Sequence, residues 1–419
     1  MKNKPPSLDQ KVNERSLFVV LISFFYSLGF SLSIHAQTAN VELLNQAKRM
    51  HDRLAGVPPS EAVLAEMYSE LEAGDAIAAA NTAMENDNFY NVTLKNWAAP
   101  WTNRDMNVFV PLDDYIATII GAVRDSDGAD RIDYRQVLYG DLLYTASDSL
   151  GLTPYSLSNN RHYEELEQSG ASLKNNLVRR SQAAVTGLPV SASAGVISTR
   201  SAAKAFFIAG TNRAQFRFTL LNHLCIDLEQ LQDNTRIPDR IRQDVSRSPG
   251  GDSRVFLNNC VSCHAGMDPM AQAFAYYDYT FDSESDPTGE NGEIVYTDGV
   301  VQSKYFNNDT TFPAGFVTPD DSWANYWREG INANLGWDSS LPGSGVGASS
   351  MLQELAHSQQ FAKCAVRKTF KTVCLREPAD AADISQVNQM VADFTQPFAS
   401  GGYNIKMMFA QAADYCKGQ

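Results

Sequence analysis

Apolar residues recur at helical spacing over most of this chain, and the elements they predict are short. Val41, Leu43, Leu44, Ala47, Met50 and Leu54 fall on one face of a helix over residues 41–56, which Gly56 ends. Pro58, Pro59 and Ser60 open the next helix, over 61–84, with Ser60 as its cap. Segments 112–124 and 133–145 carry the same period, and 161–184 is polar with a helical bias. The small, turn-rich stretch from Gly187 to Thr199 precedes a helix near 200–208. The strongest amphipathic stretch is 211–232. There Phe216, Leu220, Leu224, Leu228 and Leu231 share a face, with His223 at its edge. Helices over 350–375, 383–395 and 403–416 close the chain.

The breaks in this pattern are long. Residues 86–111 read as a loop-rich wrap that packs Trp97 and Trp101 on the helical body. His51, among polar neighbours, reads as a surface residue. Met267-Asp268-Pro269-Met270 reads as a turn, followed by the aromatic run 273–281. Residues 282–322 form a polar excursion with a small hairpin around Val295 and Val300. Trp323, Trp327 and Trp337 flank a short helix. The expected fold class is mainly α: a multi-helical body with long irregular loops.

The N-terminus stands apart. Lys2, Lys4, Lys11 and Arg15 precede an apolar run from Leu17 to Ile34, then His35-Ala36-Gln37. Residues 1–36 read as a signal peptide cleaved after Ala36, the alternative being a retained membrane anchor. After cleavage no membrane span follows. The formal charge of −14 argues against nucleic-acid binding, which needs a basic face. The expected location is the periplasm, the cell surface or the medium.

One pentad carries chemistry. Cys260-Val261-Ser262-Cys263-His264 is C-x-x-C-H, the pattern for covalent attachment of one c-type haem. Two thiols three positions apart can add across the two vinyl groups on one porphyrin edge. The next residue, His264, is then placed to bind the iron as proximal ligand. A zinc half-site would need a second Cys/His pair at similar spacing, and the sequence has none. Arg236, Arg240, Arg242, Arg247 and Arg254 cluster just upstream, and a guanidinium is the natural partner of a haem propionate. Arg247 and Arg254 are the candidates for that contact. The aromatic run after the motif either covers the porphyrin or packs in the core. The four remaining cysteines, Cys225, Cys364, Cys374 and Cys416, fit two disulfides in an oxidising compartment. Cys364 and Cys374 lie ten apart on one expected helix, about 15 Å along its axis, so in disulfides each would pair with Cys225 or Cys416; the alternative is four buried free thiols.

The block CVSCHAGMDPMAQAFAYYD resembles a C-x-x-C-H-x-x-(Met/Ile)-Asp-Pro segment of large secreted bacterial proteins, many from planctomycetes. These are described by domains of unknown function built around one cytochrome c motif. GVISTRSAAKAFFIAGTNRAQFRFTLLNHLC is similar to the lead-in of that domain, MLQELAHSQQFAKCAVRKTF to its helical C-terminal partner, and HDRLAGVPPSEAVLAEM to the opening of an associated N-terminal domain. The resemblance implies a periplasmic or surface haem protein in electron transfer and gives no substrate; the acidic charge suits a basic redox partner protein. It also implies packing, not ligation, at Met267, where relatives carry Ile. The expected division is an N-terminal helical domain over 37–150, a haem-binding domain over 151–345, and a C-terminal helical segment over 346–419.

The far side of the iron stays open. Met351 and His223 are the candidate distal ligands, with an unligated position as the alternative. The expected role is electron transfer. The alternatives are a haem enzyme of peroxidase or oxygenase type, and a haem-containing binding or assembly module.

Overall fold

The computed structural model describes Met1 and residues 41–208 and 210–419, so the expected signal segment lies outside the described residues. The fold is mainly α, as the spacing predicts. Three small antiparallel hairpins interrupt the helices: β1 (Leu143–Ala146) with β2 (Leu177–Arg180), β3 (Tyr277–Thr280) with β4 (Glu293–Tyr296), and β5 (Ser322–Ala324) with β6 (Ser344–Val346). Among the described residues no helix is long and apolar enough to cross a membrane.

A single apolar cluster runs from Ala47 to Cys416 and draws on all three expected segments. Its centre is the helix Asp114–Arg124, buried along its whole length except Arg124. Asp113 caps that helix by accepting from the Ile116 amide. Gly121 lets it meet β1: a Cβ there would lie 2.2 Å from the Tyr144 ring. Helices from the N-terminal and C-terminal parts of the described residues meet on the same core. Helix Ile405–Cys416 packs on both Ala76–Met84 and Gln359–Cys374. Arg53 donates to the Cys416 carbonyl at 2.7 Å.

Two disulfides tie this assembly, Cys225–Cys364 and Cys374–Cys416, with Cα separations of 5.3 and 5.6 Å. Cys364 and Cys374 share one helix and do not pair with each other, as the spacing requires. Cys225 sits at φ 54°, just where the helical run through 213–224 stops, and the bridge pins that stop to helix Gln359–Cys374. Two such bonds belong to an oxidising compartment.

Several local expectations are corrected. Residues 89–102 are helical, in successive π, α and 3-10 turns, with Pro100 near the start of the last, where its missing N–H is tolerated. Trp97 and Trp101 do pack on the body; the Trp97 and Phe409 rings are 5.3 Å apart. Segment 133–145 is helical only over Gln136–Tyr139; Gly140 ends that turn, and the fully buried Leu143–Ala146 pairs as a strand. Segment 161–184 likewise gives up 177–180 to β2. The hairpin uses Val295 but not Val300, and its other strand is the aromatic run itself. Helix 350–375 divides at His357, where Ser358 caps a fresh start by accepting from the Phe361 amide. His51 is fully buried, not on the surface, and its Nδ1 lies 2.7 Å from the Val57 carbonyl.

Candidate haem-attachment site

The C-x-x-C-H residues open a helix. Asp252 caps a single turn at Ser253–Val255, a π turn follows over Phe256–Cys260, and an α-helix then runs from Val261 to Ala271. Pro269 lies inside this helix, so the Met267–Met270 turn expected from the sequence does not form. Proline loses one backbone bond there. The helix persists because Met267 and Met270 are buried in the main core and Asp268 is held by a buried ion pair. Gly266 lets Trp327 reach the backbone: a Cβ there would fall 1.9 Å from the indole nitrogen. Trp327 is fully buried and lies 5.9 Å from Phe216, so it has no room to retreat. Gly266→Ala should therefore cost about 1–3 kcal/mol in a denaturant titration. An unchanged midpoint would show that the indole moves freely.

Cys260 and Cys263, three apart, face the same side of the helical run. Both are free and half-buried, and the chain's other four cysteines are bonded in pairs. Burial pushes the Cys263 thiol above its ordinary value; its sulfur lies 3.6 Å from the Leu228 carbonyl.

His264 follows on the first turn, with about 20% of its side chain exposed. Its Nδ1 lies 3.1 and 3.2 Å from the two Asp268 oxygens, one helical turn on. Asp268 is wholly buried. Burial works against its anion, but Arg213 and His264 outweigh burial and hold it well below the usual carboxylate range. Arg213 grips it through Nε at 2.7 Å and Nη2 at 2.9 Å. The same guanidinium binds Asp244 through Nη1 at 2.6 Å and Nη2 at 2.9 Å. Arg242, 2% exposed, stands 3.5 Å from Asp244 and 4.6 Å from the centre of the Tyr305 ring.

This arrangement selects a tautomer. An ionised carboxylate only accepts, so Nδ1 of His264 must donate. In the neutral imidazole the lone pair is then on Nε2, which has no hydrogen-bond partner among the described residues. A histidine that binds a metal through one nitrogen and gives the other N–H to a carboxylate is the ordinary donor pattern. Two free thiols and an available Nε2 on one short stretch fit a covalent haem.

The other sequence candidates are scattered. Arg247 donates to the Val245 and Ile241 carbonyls at 2.6 and 3.0 Å and lies over the Phe256 and Phe312 rings. Phe256 belongs to the small cluster on which Cys260 and Val261 pack, so Arg247 borders the motif. Arg254 is exposed one turn ahead, with its fork on Asp252. Met351 is fully buried in the main core on helix Ala348–Ala356. His223 is buried as well; its Nε2 is 2.6 Å from the Tyr115 hydroxyl and its ring meets Trp101 edge-on. Burial and the nearby Lys368 push its pKa well down, so it is a neutral core residue. The aromatic run after the motif packs in the core: Tyr277 stacks on Phe207 at 5.4 Å and donates to the Ala192 carbonyl. Asp268, Arg213 and Asp244 are the residues at the candidate site that the sequence does not single out. Their one sequence signal is the four-residue spacing from His264 to Asp268.

Scans against family models, curated proteins and solved structures found no match to this chain.

Proposed function

We propose that this chain is an exported c-type cytochrome that carries one covalent haem and exchanges electrons with a protein partner, in the periplasm or at the cell surface. One observation carries the reading. Among six cysteines, the two left unpaired are those of the pentad, beside a histidine whose Nε2 is open. In an oxidising compartment, two thiols this close need a reason to stay free. Thioether formation supplies one: each S–H adds across a vinyl C=C, the sulfur bonding carbon and the proton going to its neighbour. The bound group supplies one-electron exchange at iron. The chain's part is to hold it through Cys260 and Cys263, present Nε2 of His264, and fix that ring through Asp268.

A second reading, a haem enzyme with an open far position, draws on the placement of Met351 and His223. Both candidate ligands are committed to the core. The full chain, expressed with its leader in a host that matures cytochromes c, should retain haem on a denaturing gel. Cys260→Ser with Cys263→Ser should lose it. Covalent haem persisting in the double variant would sink both readings. If haem is attached, a low-spin spectrum in both redox states favours the electron carrier, and a high-spin spectrum in both favours the enzyme.

A further inference from the structure

The pentad explains attachment and ligation but leaves unused the charged cluster behind His264. Four charged side chains converge there: Asp268, Arg213, Asp244 and Arg242. Their formal charges cancel, two carboxylates against two guanidiniums. They come from three parts of the chain, and Asp268 joins them to one imidazole nitrogen. A surface ion pair would not need this. Asp268 is completely buried and Asp244 nearly so, at 0% and 9% exposure.

We infer that Asp268 is a positioning residue that sets the reduction potential of the haem through His264, and that Arg213 limits its effect. The inference rests on the haem reading above and deepens it. A carboxylate that accepts from Nδ1–H makes the imidazole a stronger electron donor at Nε2. Stronger donation stabilises the oxidised iron and lowers the potential. Asp268 is not a free anion, however. Both of its oxygens already accept from Arg213, at 2.7 and 2.9 Å, shorter than the 3.1 and 3.2 Å contacts to His264. Charge-assisted hydrogen bonds of that length are the strong ones. Arg213 therefore draws the anion's charge towards itself, and His264 receives the remainder. Asp244, on the opposite side of Arg213, draws the guanidinium the other way. The pull on the iron is thus adjustable from either end of the chain of contacts.

Opposite changes at the two positions should then move the potential in opposite directions. Asp268→Asn keeps an acceptor for Nδ1–H but removes the charge. At a fixed applied potential it should raise the reduced-to-oxidised ratio by about tenfold, an upward shift of about 59 mV for a one-electron couple. Arg213→Lys keeps the charge but breaks the two-pronged grip, freeing Asp268 for the imidazole. The potential should fall, by less than tenfold in the same ratio. Both are read by spectroelectrochemical titration of the full-length exported protein. Proton NMR of the wild-type protein gives a third readout, because the His264 Nδ1–H should be protected from exchange. Shifts of the same sign, or an Asp268→Asn shift below about threefold in the ratio, overturn the inference while covalent attachment stands. If one variant does not fold, the sign given by the other decides. If neither folds, the NMR decides: a freely exchanging Nδ1–H overturns the inference and a protected one supports it. A wild-type chain that carries no haem removes the cytochrome reading, and this inference with it.

Discussion

Replacing Cys225 and Cys364 together by alanine should lower the unfolding free energy by about 5 kcal/mol. The bridge spans 139 residues, and closing so long a loop in the unfolded chain carries the largest entropy of any cross-link in the molecule. The Cys374–Cys416 bridge spans 42 and should be worth about 4 kcal/mol on the same basis. A folded domain holds only about 5–15 kcal/mol in total, so the first loss approaches the lower end of that range. Native packing adds to it. Cys364 is 1% exposed on a helix that packs against Ala381–Phe394, Ile405–Cys416 and the turn Leu220–Leu224, and removing its sulfur, 3.9 Å from the Asn222 carbonyl, leaves a void. The effect should reach the candidate site around His264, because Cys225 closes the helical run that carries Arg213. Denaturant unfolding of the double variant beside the wild type is the measurement. A loss below about 1 kcal/mol would mean that the unfolded chain is already compact without the bridge.

What could be read in advance follows the physics of each element. Helix class was legible because Val41 to Leu54, Phe216 to Leu224 and the C-terminal segments repeat at helical spacing, although the stretch expected over 211–232 breaks at Cys225 and resumes only as a 3-10 turn at Leu228–Leu231. The exclusion of a Cys364–Cys374 bond was legible too, because helix rise alone separates them. The motif was legible because its chemistry is local: two thiols and an imidazole within five residues. What failed was long-range or two-sided. Leu143–Ala146 is buried on both faces, and no spacing separates such a run from a helix. His51 is buried despite polar neighbours because residues 41–55 pack against the last helix from the far end of the chain. Pro269 hid the most consequential feature. It marked a turn where the structure has a continuous helix, and only in a helix does Asp268 lie over His264. Arg213, which holds Asp268 from 55 residues away, had no local signal at all.

That dependence on a distant partner makes Arg213 the position where substitution should cost most outside the disulfides. Arg213→Met keeps much of the apolar stem and removes the guanidinium. Asp268, with no exposed side-chain surface, would then keep His264 and a long contact of 3.5 Å from the Arg242 amide, and Asp244 the Thr211 hydroxyl at 3.4 Å and the 3.5 Å approach of Arg242. Breaking one side of a buried pair costs about 3–5 kcal/mol, because the remaining charge keeps its desolvation penalty without its partner. Much of the loss should be recoverable. Adding Asp268→Asn to Arg213→Met removes the orphaned charge, and the double variant should be less destabilised than the sum of the single ones by about 1–3 kcal/mol. Asp244→Asn should recover less, since Asp244 is partly exposed and retains Arg242. Chemical unfolding of the wild type, the three single variants and the two doubles closes both cycles. Additive losses at Arg213 and Asp268 would mean that the grip seen between them carries no energy. The restraint on His264 would then have to come from the helix backbone alone.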